Sequence, residues 1–285
     1  MPATLVRRRR GSVGGHTDEG KLVAVSGGAW PEDATVDVWV APLDVPAPVL
    51  DRLAAVLSPV ERRRADAYRS ASDARRFSAG RGWLRHVLGA VLGLDPAAVP
   101  VSEGPGKPRL LGAGPHRFNV SHAGDLAVVA VASFEVGVDV EDARSGRRWS
   151  DLAPVACSPG EAAALAELPE GEQEEAFLAV WTAKEAYLKA TGEGLAVPPE
   201  RVVVGRPAPG VHTAVRVGDG EPRWWVRPLR PAEGYVGAVA AEGTRWGVRL
   251  RPTSVLDPRP LPGARARPEP VRSGRPSEDE RTETP

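Results

Sequence analysis

A single cysteine, Cys157, in 285 residues excludes an internal disulfide and points to a reducing, cytoplasmic setting. Net charge is lacking too: 37 Lys and Arg balance 37 Asp and Glu. Composition therefore gives no electrostatic reason to expect nucleic acid or a membrane surface as a partner. No apolar run approaches the roughly 18 residues that a membrane-spanning helix needs. The basic run Arg7 to Arg10 has no apolar stretch behind it, so it reads as a solvated leader rather than a secretory signal. Long stretches at both ends offer little to bury. Residues 1–33 and 252–285 are expected to be disordered.

What is present is an apolar fraction of 42%, enough for a packed core, concentrated in residues 34–251. That body reads as two related halves, 34–133 and 134–251. Val36, Val38 and Val40 match Val136, Val138 and Val140 at an offset of 100 positions. Ser58-Pro59-Val60-Glu61 matches Ser158-Pro159-Gly160-Glu161 at the same offset. Phe77 to Arg85 matches Trp181 to Lys189 at an offset of 104. Each Ser-Pro pair is a helix start, with serine as cap and proline in the first turn. The pattern predicts an α+β fold in which each half runs strand, helices, strands. In the first half the strands are expected near 36–41, 117–121 and 126–132, with helices over 47–70 and 73–92. In the second, a strand near 136–141 precedes helices over 150–156, 159–167 and 171–190. Strands follow near 201–204, 211–217, 223–229, 235–241 and 245–250.

The chemistry lies where the halves differ. Alternation puts Asp139 and Glu141 on one face of their strand and the valines on the other. Glu185 and Lys189 stand one turn apart on their helix. The matching positions of the first half are Trp39, Ala41 and Arg81. Three carboxylates and a lysine occur in one copy only. Together they suit a magnesium ion and a phosphate group.

These residues resemble the 4′-phosphopantetheinyl transferases, in particular the larger, surfactin-synthetase-activating type. The resemblance is carried by V-G-V-D at Val136 to Asp139 and W-T-A-K-E-A-Y-L-K at Trp181 to Lys189. Phe118-Asn119-Val120-Ser121-His122 and the turn Gly106-Lys107-Pro108 add to it. It spans about residues 36–250 and implies a single-chain pseudodimer with a pseudo-two-fold axis, acting as a monomer. It implies transfer of phosphopantetheine from coenzyme A to a serine of an apo acyl or peptidyl carrier protein, with release of 3′,5′-ADP. Asp139, Glu141 and Glu185 are the implied Mg²⁺ ligands, with Glu185 also the general base. Lys189 is implied at the pyrophosphate, together with Asp139. Arg64, Arg76, Lys107, Ser121 and His122 are implied to hold coenzyme A. Glu61 falls where the family has a basic residue, so part of the nucleotide clamp departs from the pattern. Secondary metabolism is the implied setting. Two other classes share these residues: a non-catalytic module that binds coenzyme A, and a metal-dependent hydrolase. Lys184 reads as a solvated lysine beside the site. Arg62 and Arg63 read equally as clamp or as solvated helix face. Trp39, Trp83, Trp149, Trp181, Trp224, Trp225 and Trp246 read as packing residues. His16, His86, His116 and His212 lack a motif.

Overall fold

Alternating valines open the fold as β1 (Ala34–Pro42), with Val36 and Val38 fully buried. A computed structural model describes residues 34–102, 107–112, 114–146 and 149–256. The expected disordered ends at 1–33 and 257–285 lie outside the described residues, as do His16, Trp30 and loop residues 103–106. After β1 come α1 (Ala47–Ala55), α2 (Pro59–Asp66) and the long α3 (Ala71–Leu92). Strands β2 (Arg117–Ala123) and β3 (Leu126–Ala132) follow. The order then repeats with β4 (Val136–Asp142), α4 (Trp149–Ala156), α5 (Pro159–Ala166) and α6 (Glu170–Thr191). It ends with β5 (Val202–Val204), β6 (Thr213–Val217), β7 (Trp224–Leu229), β8 (Tyr235–Glu242) and β9 (Trp246–Pro252).

The kinship of the halves is visible at the helix ends. Ser58 and Ser158 each cap a helix through the amide of the residue three positions on. Glu61 and Glu161 each reach back to the cap amide, at 2.9 and 2.7 Å, completing two capping boxes. Helices α3 and α6 are both 22 residues long. Both stop at a left-handed glycine, Gly93 at φ 66° and Gly192 at φ 75°, a conformation that costs glycine nothing.

The strands form two sheets. One has the order β2–β3–β1–β9, the other β4–β8–β7–β6–β5. The final strand crosses the expected boundary: β9 belongs by chain position to the second half, yet it pairs in parallel with β1. Charge pins it there. Asp37 accepts from Arg249 Nε at 2.6 Å and Arg251 Nε at 2.8 Å. Residues 252–256, counted from sequence with the disordered tail, are built into the fold. Pro252 ends β9, and buried Thr253 donates to the Val40 carbonyl at 3.1 Å. Leu256 packs on the first-half core beside Trp39 and Trp83. The two sheets meet where β2 lies against β4. There the Val138 amide donates to the buried Asn119 Oδ1 at 3.1 Å, so an Asn side chain takes the place of a ladder partner.

One glycine sets the depth of α6 on its sheet. A Cβ at Gly137 would stand 1.9 Å from the Ala186 carbonyl oxygen and 2.6 Å from the Ala190 nitrogen. Both are backbone atoms, which cannot swing aside. Gly137→Ala is therefore expected to push α6 off β4 and lower stability by at least ~1–3 kcal/mol, the usual cost of overpacking. Urea denaturation measures this. Gly160→Ala is the control: nothing lies within 4 Å of that Cβ, so it should be neutral or stabilise by up to about 1 kcal/mol.

Candidate active site

Because α6 sits so close to β4, the face of β4 that carries Gly137, Asp139 and Glu141 looks directly onto the helix. The two elements run antiparallel. Gly137 lies under Ala186 and Ala190, Asp139 meets Lys189, and Glu141 meets Trp181. Trp181, Glu185 and Lys189 are spaced four apart and form one stripe of α6. Glu185 thus falls between the two strand acids.

Asp139 is 4% exposed, not a solvent-facing strand acid. Its Oδ1 accepts from Lys189 Nζ at 2.5 Å and from Ser121 Oγ at 2.7 Å. Lys189 Nζ also lies 3.0 Å from Ser121 Oγ. Lys189 therefore pairs across the fold with Asp139, rather than along its own helix with Glu185. The other oxygen, Asp139 Oδ2, is buried with no hydrogen-bond partner. Burial pushes the Glu185 carboxyl above its usual pKa, and Asp139 and Glu141 add to the rise while Lys189 opposes it. A partnerless buried carboxylate oxygen, beside the Glu185 carboxyl whose pKa burial and the two neighbouring acids raise, fits a hard divalent cation with oxygen ligands. Among the described residues no group of three or more His, Cys, Asp or Glu stands at ligand spacing. The charge partner of Asp139 in this geometry is Lys189.

Ser121 and His122, at the end of β2, connect this wall to a cavity of about 330 Å³. Arg64, Arg76, Arg81, Phe77 and Tyr68 line it from the first half. The Arg64 and Arg81 guanidinium groups lie over the Phe77 ring, 5.2 and 5.9 Å from its centre. Arg76 is held at the rim by Asp125 at 2.9 Å. Reduced hydration in the cleft and the Lys189 ammonium lower the His122 pKa, against a smaller pull from Asp139; the ring is neutral at neutral pH. Lys107 stands apart from the cavity lining. Its ammonium donates to the Lys189 carbonyl at 2.6 Å, at the C-terminal end of α6. Although the residue as a whole is exposed, withdrawal of its ammonium from water lowers the pKa to about 8, with Glu135 opposing and Arg109 and Lys189 adding to the fall. Arg64, Arg76, Ser121 and His122 thus line one cavity, and Ser121 joins it to Asp139 and Lys189.

Three expectations change. Lys184 is not solvated: it is fully buried. Its ammonium donates to Glu161 Oε2 at 2.6 Å and to the Ala156 and Pro199 carbonyls at 2.7 and 3.0 Å. Glu61 is not a defective clamp position. It is a buried capping residue whose carboxylate accepts from Arg85 Nε at 2.6 Å. Arg62 and Arg63 do not line the cavity, and the Arg62 guanidinium binds the Ala55 carbonyl. The residue that sequence reasoning passed over is Arg81. It was seen only as the counterpart of Glu185, yet it lines the cavity 3.9 Å from Glu61. The signal was a cation, one turn beyond Phe77, at the position where the other half carries Glu185.

An acidic wall with one lysine, opening into an arginine-lined cavity with aromatic sides, defines a group-transfer site for a phosphorylated, nucleotide-like substrate. The comparisons with known proteins narrow that class. Residues 135–240 match the model of the 4′-phosphopantetheinyl transferase superfamily, and residues 47–134 match that of the 4′-phosphopantetheinyl transferase N-terminal domain. The chain is 37% identical over 216 residues to 4′-phosphopantetheinyl transferase HetI of Nostoc sp., covering 74% of this chain and 89% of that one. It is 30% identical over 192 residues to a 4′-phosphopantetheinyl transferase of Bacillus subtilis, covering 67% and 84%. It is 26% identical to 4′-phosphopantetheinyl transferase Sfp of Bacillus subtilis over the same shares. The chain belongs to the 4′-phosphopantetheinyl transferase superfamily.

Two measurements check the electrostatics. Glu185 has a raised folded-state pKa, so its contribution to stability is present below the unfolded value of 4.5 and is lost as pH rises through the folded value. Glu185→Gln is therefore expected to melt higher than the parent at pH 7 without divalent ions, with the gap closing toward pH 4. Scanning calorimetry at both pH values reads this. Lys184→Ala strands the buried Glu161 carboxylate and should cost about 3–5 kcal/mol, against far less for Lys184→Ala with Glu161→Gln; chemical denaturation reads that pair.

Proposed function

We propose that the cleft holds coenzyme A and moves its phosphopantetheine group to a serine of an apo carrier protein, in the manner of the larger, single-chain members of the family. One observation carries this reading: Ser121 bonds to both Asp139 and Lys189 of the acidic wall and, with His122, lines the cavity of Arg64, Arg76 and Arg81. A pyrophosphate placed at Ser121 and His122 would have the nucleotide on the cationic side and the reacting phosphorus on the acidic side.

In this reading Arg64, Arg76 and Arg81 hold the nucleotide phosphate, and Lys107, Ser121 and His122 hold the pyrophosphate region. Asp139, Glu141 and Glu185 hold Mg²⁺. When bound, the ion supplies charge neutralisation at the pyrophosphate. Glu185 takes the proton of the carrier serine, directly or through water. The serine oxygen forms a bond to phosphorus as the bond from that phosphorus to the ADP oxygen breaks. Lys189 stabilises the negative charge on the leaving 3′,5′-ADP. The same reading makes residues 34–133 the coenzyme A side and 134–251 the catalytic side of a monomer in a cytoplasmic setting, and the family resemblance suggests a carrier of secondary metabolism.

Incubation with coenzyme A, Mg²⁺ and a panel of apo carriers should add one phosphopantetheine to the carrier serine by mass spectrometry, with kcat/KM ranking the carriers. Coenzyme A binding without transfer to any carrier would make the chain a binding module. Free phosphopantetheine formed without a carrier would make it a hydrolase. Glu185→Ala is expected to abolish transfer. Arg81→Ala should raise the KM for coenzyme A about tenfold with kcat nearly unchanged, the loss of one charge-assisted bond in ground state and transition state alike.

A further inference from the structure

The stripe on α6 that carries Glu185 and Lys189 begins with Trp181. The body of this side chain is accounted for by packing. It lies on the cluster formed by α4, α5 and α6, stacked against Phe177 with ring centres 6.4 Å apart and planes 14° from parallel. Its tip is not. The indole N–H donates to Glu141 Oε1 at 3.2 Å, across 40 positions of sequence. A phenylalanine would keep an aromatic ring beside Phe177 but would lose that bond and part of the packing.

The bond matters because of what Glu141 is. It stands near the end of β4, less buried than Asp139, on a side chain with three rotatable bonds. Fixing such a carboxylate costs rotamer entropy unless a neighbour fixes it in advance. An indole has two torsions, and here the stack on Phe177 limits both. The antiparallel run of β4 and α6 then gives each strand acid its own donor from the helix: Lys189 for Asp139 Oδ1 and Trp181 for Glu141 Oε1. The donors differ in one respect. The ammonium carries a positive charge and offsets that of Asp139. The indole N–H is neutral, so it orients Glu141 without adding a charge of its own.

We propose that Trp181 is a positioning residue that holds Glu141 in the orientation needed for the divalent cation. Partners of this kind behind a metal ligand set its rotation, and losing one weakens metal binding by about 10–100-fold. The inference rests on the magnesium reading given above. It gives the family's aromatic helix position a chemical role in this chain besides packing.

Mn²⁺ affinity of the full chain, read by electron paramagnetic resonance without coenzyme A or carrier, tests it. Four proteins are compared: the parent, Trp181→Phe, Glu141→Ala, and the double variant. Trp181→Phe should weaken Mn²⁺ binding about tenfold, with the metal-free protein still folding cooperatively at a slightly lower melting temperature and its transfer activity restored by excess Mg²⁺. In the Glu141→Ala background the same change should alter affinity by less than about twofold, because the indole acts through that carboxylate. Equal Mn²⁺ affinity of parent and Trp181→Phe overturns the inference and leaves the magnesium reading intact. An equal loss in both backgrounds also overturns it, since the indole would then act through packing. A parent that binds no Mn²⁺ overturns the magnesium reading itself, and this inference with it.

Discussion

Everything at the catalytic wall depends on how closely α6 lies on β4, and that distance is set by the missing side chain of Gly137. With a Cβ 1.9 Å from the Ala186 carbonyl oxygen, no other residue lets the helix down to this depth. At this depth Lys189 reaches Asp139 at 2.5 Å and Trp181 reaches Glu141 at 3.2 Å. Glu185, between them, is forced into the field of both acids. Raise the helix by the thickness of a methyl group and each of these contacts lengthens together. The glycine of V-G-V-D is thus as much part of the chemistry as the aspartate two positions on. One supplies the charge and the other the proximity that makes the charge act.

The two halves use a common frame for different ends. Each has a capping box, and in each the capping glutamate is buried and paired with a cation from the long helix. The cations are not equivalent by position. Arg85 corresponds to Lys189 at the 104-residue offset, whereas Lys184 corresponds to Gly80. The need is physical: a buried carboxylate must have a counter-charge. Either helix position can supply one if its side chain is long enough. Once Lys184 meets that need in the second half, Lys189 is released to face Asp139 and the cleft. In the first half Arg85 remains inside, bound to Glu61 and to the Val99 carbonyl at 3.2 Å. A shift of five residues along the helix separates a structural cation from one at the site.

Local signals carried most of the fold in the sequence. Alternating valines located β1 and β4, and Ser-Pro-x-Glu located the starts of α2 and α5. What was not legible depends on partners far along the chain. Nothing in Trp246 to Pro252 says which sheet it joins, because the decision is made by Asp37, over 200 positions away. Lys184 next to Glu185 looks like any surface lysine until Glu161, 23 residues earlier, is folded beneath it. The site was legible as a set of residues because its spacing is short-range: two residues along a strand, four along a helix. Arg81 was not, because its role comes from the cavity between α2, α3 and β2, and no local pattern marks a cavity.

A formal charge of zero hides a sharply divided cleft. Arg64, Arg76 and Arg81, with Asp73 among them, line the first-half side, and Asp139, Glu141 and Glu185 stand on the second, with the hydroxyl of Ser121 and the ring of His122 at the join. Neutral groups suit that position. A cation there would pair with Asp139 and an anion would pair with the arginines, and either would close the division. On the reading proposed above, a substrate with phosphates along its length would place its most anionic part at the arginines and the end to be attacked at the acids. The repeat makes this possible. Two copies of one frame face each other, and Arg81 in one stands where Glu185 stands in the other, so the polarity that orients the substrate is written at matching positions of α3 and α6.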